Sequence, residues 1–183
     1  NLAVYFVIKQ ILAFVVCCSI SLQVVAASNP IKSVIARLAS ESLLLDIALI
    51  ESDKLVAVGE YGHILTSTDS VNWQQANVPI QSTLTAVYFY NKKLGWAVGH
   101  DASILHSQDG GKTWHIQQFM PELEKPLLDV VFKSPLEGVA VGAYGQFYRT
   151  QDGGNTWTSE FHKGFLPQDD IDYLEELKNE DEQ

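Results

Sequence analysis

Three stretches of this chain repeat one another. Leu44, Leu84 and Leu127 each open a segment that aligns with the other two, without a gap, over 26 residues. The triplet Ala-Val-Gly recurs at 57–59, 97–99 and 140–142; Ser67, Ser107 and Thr150 coincide, as do Asp69, Asp109 and Asp152. The period is 40 residues and then 43. A supersecondary unit of this size cannot bury its apolar face alone, so its copies must stack on one another.

Each unit carries four short strand signals. The first is apolar or alternating ("LLDIALI", "LTAVYFY", "LLDVVF"), the second is "KLVAVG", "LGWAVG" or "LEGVAVG", and the third is "HILTS", "SILHS" or "QFYRT". The fourth starts at Trp73, Trp114 or Trp157. Turn residues separate them, and nothing between Leu44 and Phe161 has a helical period. Four antiparallel strands per 40-odd residues describe a β-propeller blade, so the fold class is all-β. The expected blades are 43–80, 81–123 and 124–161. Gly59, Gly99 and Gly142 are expected to supply turn conformations after the second strands. Three blades make part of a ring, because propellers close with about 4–8. More blades, or association of copies, would close it.

The opening and closing segments differ from the repeats. Residues 1–27 are an apolar run containing Lys9, and no acidic residue precedes Glu41. Val25-Ala26-Ala27 offers the small residues that signal peptidase requires, so the segment reads as a signal peptide or a membrane anchor. Both cysteines, Cys17 and Cys18, lie within it, which leaves the remainder without disulfides or thiolate ligands. Residues 28–42 are expected to hold a lead-in strand at "SVIARL". Residues 162–183 form an acidic tail or an interblade insertion, with Asp169 or Asp170 capping a short helix. That tail supplies most of the formal charge of −10. The chain shows no basic stripe with interleaved aromatics, which excludes nucleic acid as the expected partner.

The motif between the third and fourth strands is "SQDGGKTW" at 107–114 and "TQDGGNTW" at 150–157. Asp accepts hydrogen bonds from its own turn, Gly111 and Gly154 take positive φ, and Trp114 and Trp157 fold back across the hairpin. Thr113 and Thr156 complete the pattern. The first copy, "STDSVNW", keeps Ser67, Asp69 and Trp73 but lacks both glycines and one residue of length. A turn copied into every unit stitches a fold; it is not a catalytic site.

These residues resemble the Asp-box, or BNR, repeat of bacterial sialidases and of non-enzymatic propellers. The fuller run at 95–114, of the form G-x-A-V-G-x-x-x-x-I-L-x-S-x-D-G-G-x-T-W, is similar to a repeat of the photosystem II stability and assembly factor family. Residues 138–157 match it with Phe147-Tyr148 replacing Ile-Leu. The resemblance implies a seven-bladed, non-enzymatic propeller exported to the thylakoid lumen or the bacterial periplasm. There it would bind a protein partner and assist a membrane-associated complex, itself peripheral or anchored. The family's arginine-rich patch has no counterpart, since the chain holds only Arg37 and Arg149.

The alternative reading is a sialidase-type glycoside hydrolase. That chemistry requires three arginines on the substrate carboxylate, a Tyr–Glu nucleophile pair and an acidic Asp. Two arginines do not supply it. His63, His100, Asp101, His106 and His115 lack the paired spacing of a zinc site, so neither metal nor cofactor is expected. Strand alternation puts the Asp-box turns at one end of the blades. The second-to-third-strand turns share the other end with the interblade connectors, and a binding face there would display Tyr61, His63, His100, Asp101 and Tyr144.

Overall fold

The computed structural model describes residues 29–160 except 51 and 53, together with 162, 168, 169 and 171–173. Its twelve strands form three separate four-stranded antiparallel sheets. Blade 1 holds β1 (Leu44–Ile50), β2 (Lys54–Gly59), β3 (Ile64–Ser67) and β4 (Gln74–Gln75). Blade 2 holds β5 (Leu84–Phe89), β6 (Gly95–Gly99), β7 (Ser103–Ser107) and β8 (His115–Gln118). Blade 3 holds β9 (Leu127–Phe132), β10 (Gly138–Gly142), β11 (Phe147–Thr150) and β12 (Thr158–Ser159). Strand order within each sheet follows the chain, the meander expected of a propeller blade.

The core lies between sheets. Between blades 1 and 2, Val56, Val58 and Ile64 pack on Leu84, Val87, Leu105 and Trp114. Between blades 2 and 3, Trp96, Val98 and Ile104 pack on Leu127, Val130, Phe132 and Tyr148. Each middle-strand position therefore alternates between the preceding and the following blade, which is why neither strand face is polar. Trp96 is the largest fully buried side chain, stacked between Phe132 at 3.5 Å and His106 at 4.7 Å between centroids. Among the described residues no helix is long and apolar enough to cross a membrane. The signal or anchor segment expected at 1–27 lies outside the described residues.

The structure corrects three expectations. Residues 33–38 form no strand. Their backbone groups are taken by side chains and a connector: Gln75 accepts from Ala36 N–H and donates to Val34 O, and Ser33 N–H reaches Val78 O. Gly59 and Gly142 are extended, with φ of −173° and −150°, so no turn conformation requires them. Close approach does: a β-bulge in the first strand brings its backbone inward, and a Cβ on Gly59 or Gly99 would overlap Leu43 O or Thr83 O. Finally, Asp169 is itself helical beside Gln168 and so is not the cap expected there; Asp170, the other expected cap, lies outside the described residues.

Candidate functional site

The two ends of the blades are chemically different. At one end the Asp-box turns lie against the first-to-second-strand turns, with Gly110 N–H on Lys93 O and Gly153 N–H on Leu136 O. Asp109 Oδ1 accepts from Ser107 Oγ (3.0 Å), Lys112 N–H (3.0 Å) and Thr113 N–H (2.9 Å), and Oδ2 accepts from Thr113 Oγ1 (2.6 Å). Asp152 repeats this with Thr150 Oγ1, Thr156 N–H and Thr156 Oγ1. In the shortened copy, Asp69 holds Ser67 Oγ and the Val71 and Asn72 N–H groups, while Asn72 Nδ2 stands in for the threonine hydroxyl. Ser70 takes the left-handed conformation (φ 61°) that Gly110 and Gly111 supply elsewhere.

Those bonds occupy the carboxylates. Burial raises the Asp109 pKa, but the Thr113, Ser107 and Lys112 donors outweigh it and bring it down to about 2. Asn72 and Val71 hold Asp69 well below the usual range, and the Thr156 N–H and hydroxyl hold Asp152 below it. A carboxylate held ionised by its own turn is no proton donor at neutral pH, and both oxygens of each already accept from the turn. The motif stitches the hairpin, with Trp114 Nε1–H closing back on Gly111 O at 3.1 Å.

The other end gathers the turns after β2, β6 and β10 with the connectors, as strand alternation requires. Glu60, His100 and Ala143 N–H groups bond Leu43, Thr83 and Pro126 carbonyls. Tyr61, Asp101 and Tyr144 occupy the same turn position with φ of 56°, 61° and 58°. Bulky side chains avoid that region. Both tyrosines are nonetheless exposed, Tyr61 by 62% and Tyr144 by 82%. His100 is exposed between them, and Asp101 accepts from Ser82 Oγ.

His63 differs from its expected role as a display residue. It is only 5% exposed, and its Nδ1 meets Ser42 Oγ at 2.9 Å. Burial lowers its pKa against the opposing pull of Glu60. Ser42 Oγ donates its proton to Ala39 O, so the Ser–His contact is a structural cap with no activated hydroxyl. The position after the Gly59 turn faces the lead-in segment, a contact that the repeat alone does not disclose.

Among the described residues no three His, Cys, Asp or Glu side chains gather as a metal site. Arg149, the only arginine in a blade, directs Nε and Nη2 to Glu160 at 2.7 and 3.1 Å. Asp46 went unsingled in the sequence, yet it bridges two blades: Oδ1 accepts Ile47 N–H and Oδ2 accepts Val87 N–H, both at 2.8 Å. The signal was present as "LLD" in blades 1 and 3 against "LTA" in blade 2.

Comparison with known proteins places these observations. The family model of the photosynthesis system II assembly factor YCF48 matches residues 65–126. A photosystem II assembly protein Ycf48 of Synechococcus sp. (strain JA-3-3Ab) is 44% identical over 50 residues, 26% of this chain and 15% of that protein. The structure of YCF48 from Cyanidioschyzon merolae superposes with a TM-score of 0.57 at 27% identity, covering 69% of this chain and 43% of that one. A structure of YCF48 bound to D1 peptide superposes with a TM-score of 0.58 at 21% identity, over 72% of this chain and 46% of that one. The chain thus spans less than half of each solved relative. The resemblance read from the motifs holds: residues 65–126 match the YCF48 family model, and the three blades are similar to those of photosystem II assembly factors.

Proposed function

We propose that this chain is a non-enzymatic scaffold. It binds an extended peptide of a photosystem II subunit, of the D1 kind, and so assists assembly of that membrane complex. The observation that carries the reading is the pair of exposed tyrosines in left-handed backbone at equivalent turns, with His100 between them. Strained positions of this sort are kept where a side chain must be presented, and tyrosine is the residue most enriched in protein-binding patches. His100 and Asp101 add polar contacts, while His63 supports Tyr61 from beneath, ring against ring at 5.9 Å. An exported location, in the lumen or the periplasm, would fit this role and the reading of residues 1–27 as a signal peptide or a membrane anchor.

The hydrolase alternative has no comparable support: the blade arginine is committed to Glu160, and the Asp-box carboxylates are committed to their turns. The test is fluorescence polarisation of a labelled D1 peptide titrated with the chain. Replacing both Tyr61 and Tyr144 by Ala should weaken binding about tenfold or more while leaving the circular dichroism unchanged. Unaltered binding by the folded double variant would remove this face from the function.

A further inference from the structure

Strands β1, β5 and β9 are edges of their sheets, so alternate N–H groups on them lack ladder partners. Ile47, Val87 and Val130 occupy equivalent places on these edges. Ile47 N–H goes to its own Asp46, and Val130 N–H to its own Asp129 Oδ1 at 2.8 Å. Blade 2 has Ala86 in place of the acid, and Val87 N–H crosses to Asp46 Oδ2 of blade 1. The next junction works otherwise. Thr85 Oγ1 donates to Leu127 O (2.6 Å) and Tyr88 OH to Phe132 O (2.9 Å), because Val130 N–H is already taken. Blade 3 returns to the first pattern, with Leu128 where Thr85 stands, and Asp129 Oδ2 has no protein donor among the described residues.

A second difference lies at the Asp-box end. Lys54 Nζ of blade 1 donates to Gly110 O in the turn of blade 2 at 2.6 Å. The equivalent residue of blade 3 is Glu137, paired with Lys133 at 2.7 Å, which only accepts. Beside it a cavity of about 130 Å³ is lined by Val131, Val139 and Thr150. In blade 1 the counterpart of Val139 is Val56, fully buried beneath Gly111 of blade 2. Val131 and Val141, in positions that blades 1 and 2 cover, are 47% and 37% exposed.

We propose that the open face of blade 3 binds a further four-stranded blade with two defined traits. One is a small uncharged residue at the place of Ala86, which leaves the next N–H for Asp129. The other is a basic residue in its Asp-box turn, at the place of Lys112, to meet Glu137. Blade 2 of this chain has both. Blade 1 has neither: Asp46 already claims Ile47 N–H and would set carboxylate against carboxylate, and Val71 stands where Lys112 would be. A second copy docking head to tail would offer blade 1, so the face discriminates against the chain's own copy.

The test uses the full chain extended beyond Gln183 by a second copy of residues 81–123, beside a sister chain extended by a copy of residues 43–80. Deuterium exchange over residues 127–142 should slow about tenfold or more with the first extension and stay unchanged with the second. Equal slowing in both, slowing only in the second, or slowing in neither would overturn the proposal. The unextended chain gives an independent reading and should sediment as a monomer at every concentration reached. Association that Val131→Glu abolishes would also overturn it.

Discussion

The two blade junctions perform the same task by different means. The first is mainly aliphatic, with Val56, Val58 and Ile64 against Leu84 and Val87 beside Trp114, and adds two long polar links, Asp46 to Val87 N–H and Lys54 to Gly110 O. The second is aromatic, with Trp96 between Phe132 and His106, and its hydroxyls donate to carbonyls. Gln117 replaces Lys54 as the link to the next turn, donating to Gly153 O at 2.9 Å. The repeat conserves the geometry of stacking, while the chemistry of each contact is set locally by whichever edge group needs a partner.

Removing the aromatic plate should separate the junctions most sharply. Trp96→Ala leaves a large void and should cost about 3–5 kcal/mol, seen as a lowered urea midpoint. Exchange in β9–β12 should accelerate well before that in β1–β4. Uniform acceleration would show that the blades unfold as one unit and that the contrast has no energetic meaning. A smaller effect is expected at the first junction. Asp46→Ala strands two edge N–H groups and should cost about 1–3 kcal/mol, with faster exchange at Ile47 and Val87 but not at Val130.

The gentlest probe is pH. Burial, and then the charge of His115, hold the His106 pKa below its ordinary value. The folded state therefore binds fewer protons at this site than the unfolded chain does as pH drops through the histidine range. Stability from this group is present above that range and is lost on acidification. His106→Gln should flatten the fall in urea midpoint below about pH 6.5. The effect belongs to the second junction, because Thr66 holds the equivalent place in the first.

Much of this architecture was legible because the repeat reports on itself. Invariant Asp, Ala-Val-Gly and Trp positions gave the blades, the turn and the end of the molecule where each turn lies. What escaped depends on neighbours distant in sequence. The glycines after the second strands read as turn residues, and the bulge that makes them necessary is a property of paired backbones. His63 looked like a surface residue because the lead-in segment that buries it belongs to no repeat. Asp46 was not singled out, since only stacking reveals the N–H of Val87 beside it.

The shortened first turn and the longer second connector bear on how such a chain changes over generations. Relative to the first period, the second has gained one residue in the Asp-box turn and two before Leu127, where the short 3₁₀ turn Pro121–Leu123 lies. Both gains fall at the rims. Apart from a single isolated bridge from Asn77 to Thr113, no backbone pairing joins one sheet to the next among the described residues. Insertions at the rims therefore leave the stack unaltered. Lineages of this repeat are free to graft new recognition loops there, blade by blade, without renegotiating the fold.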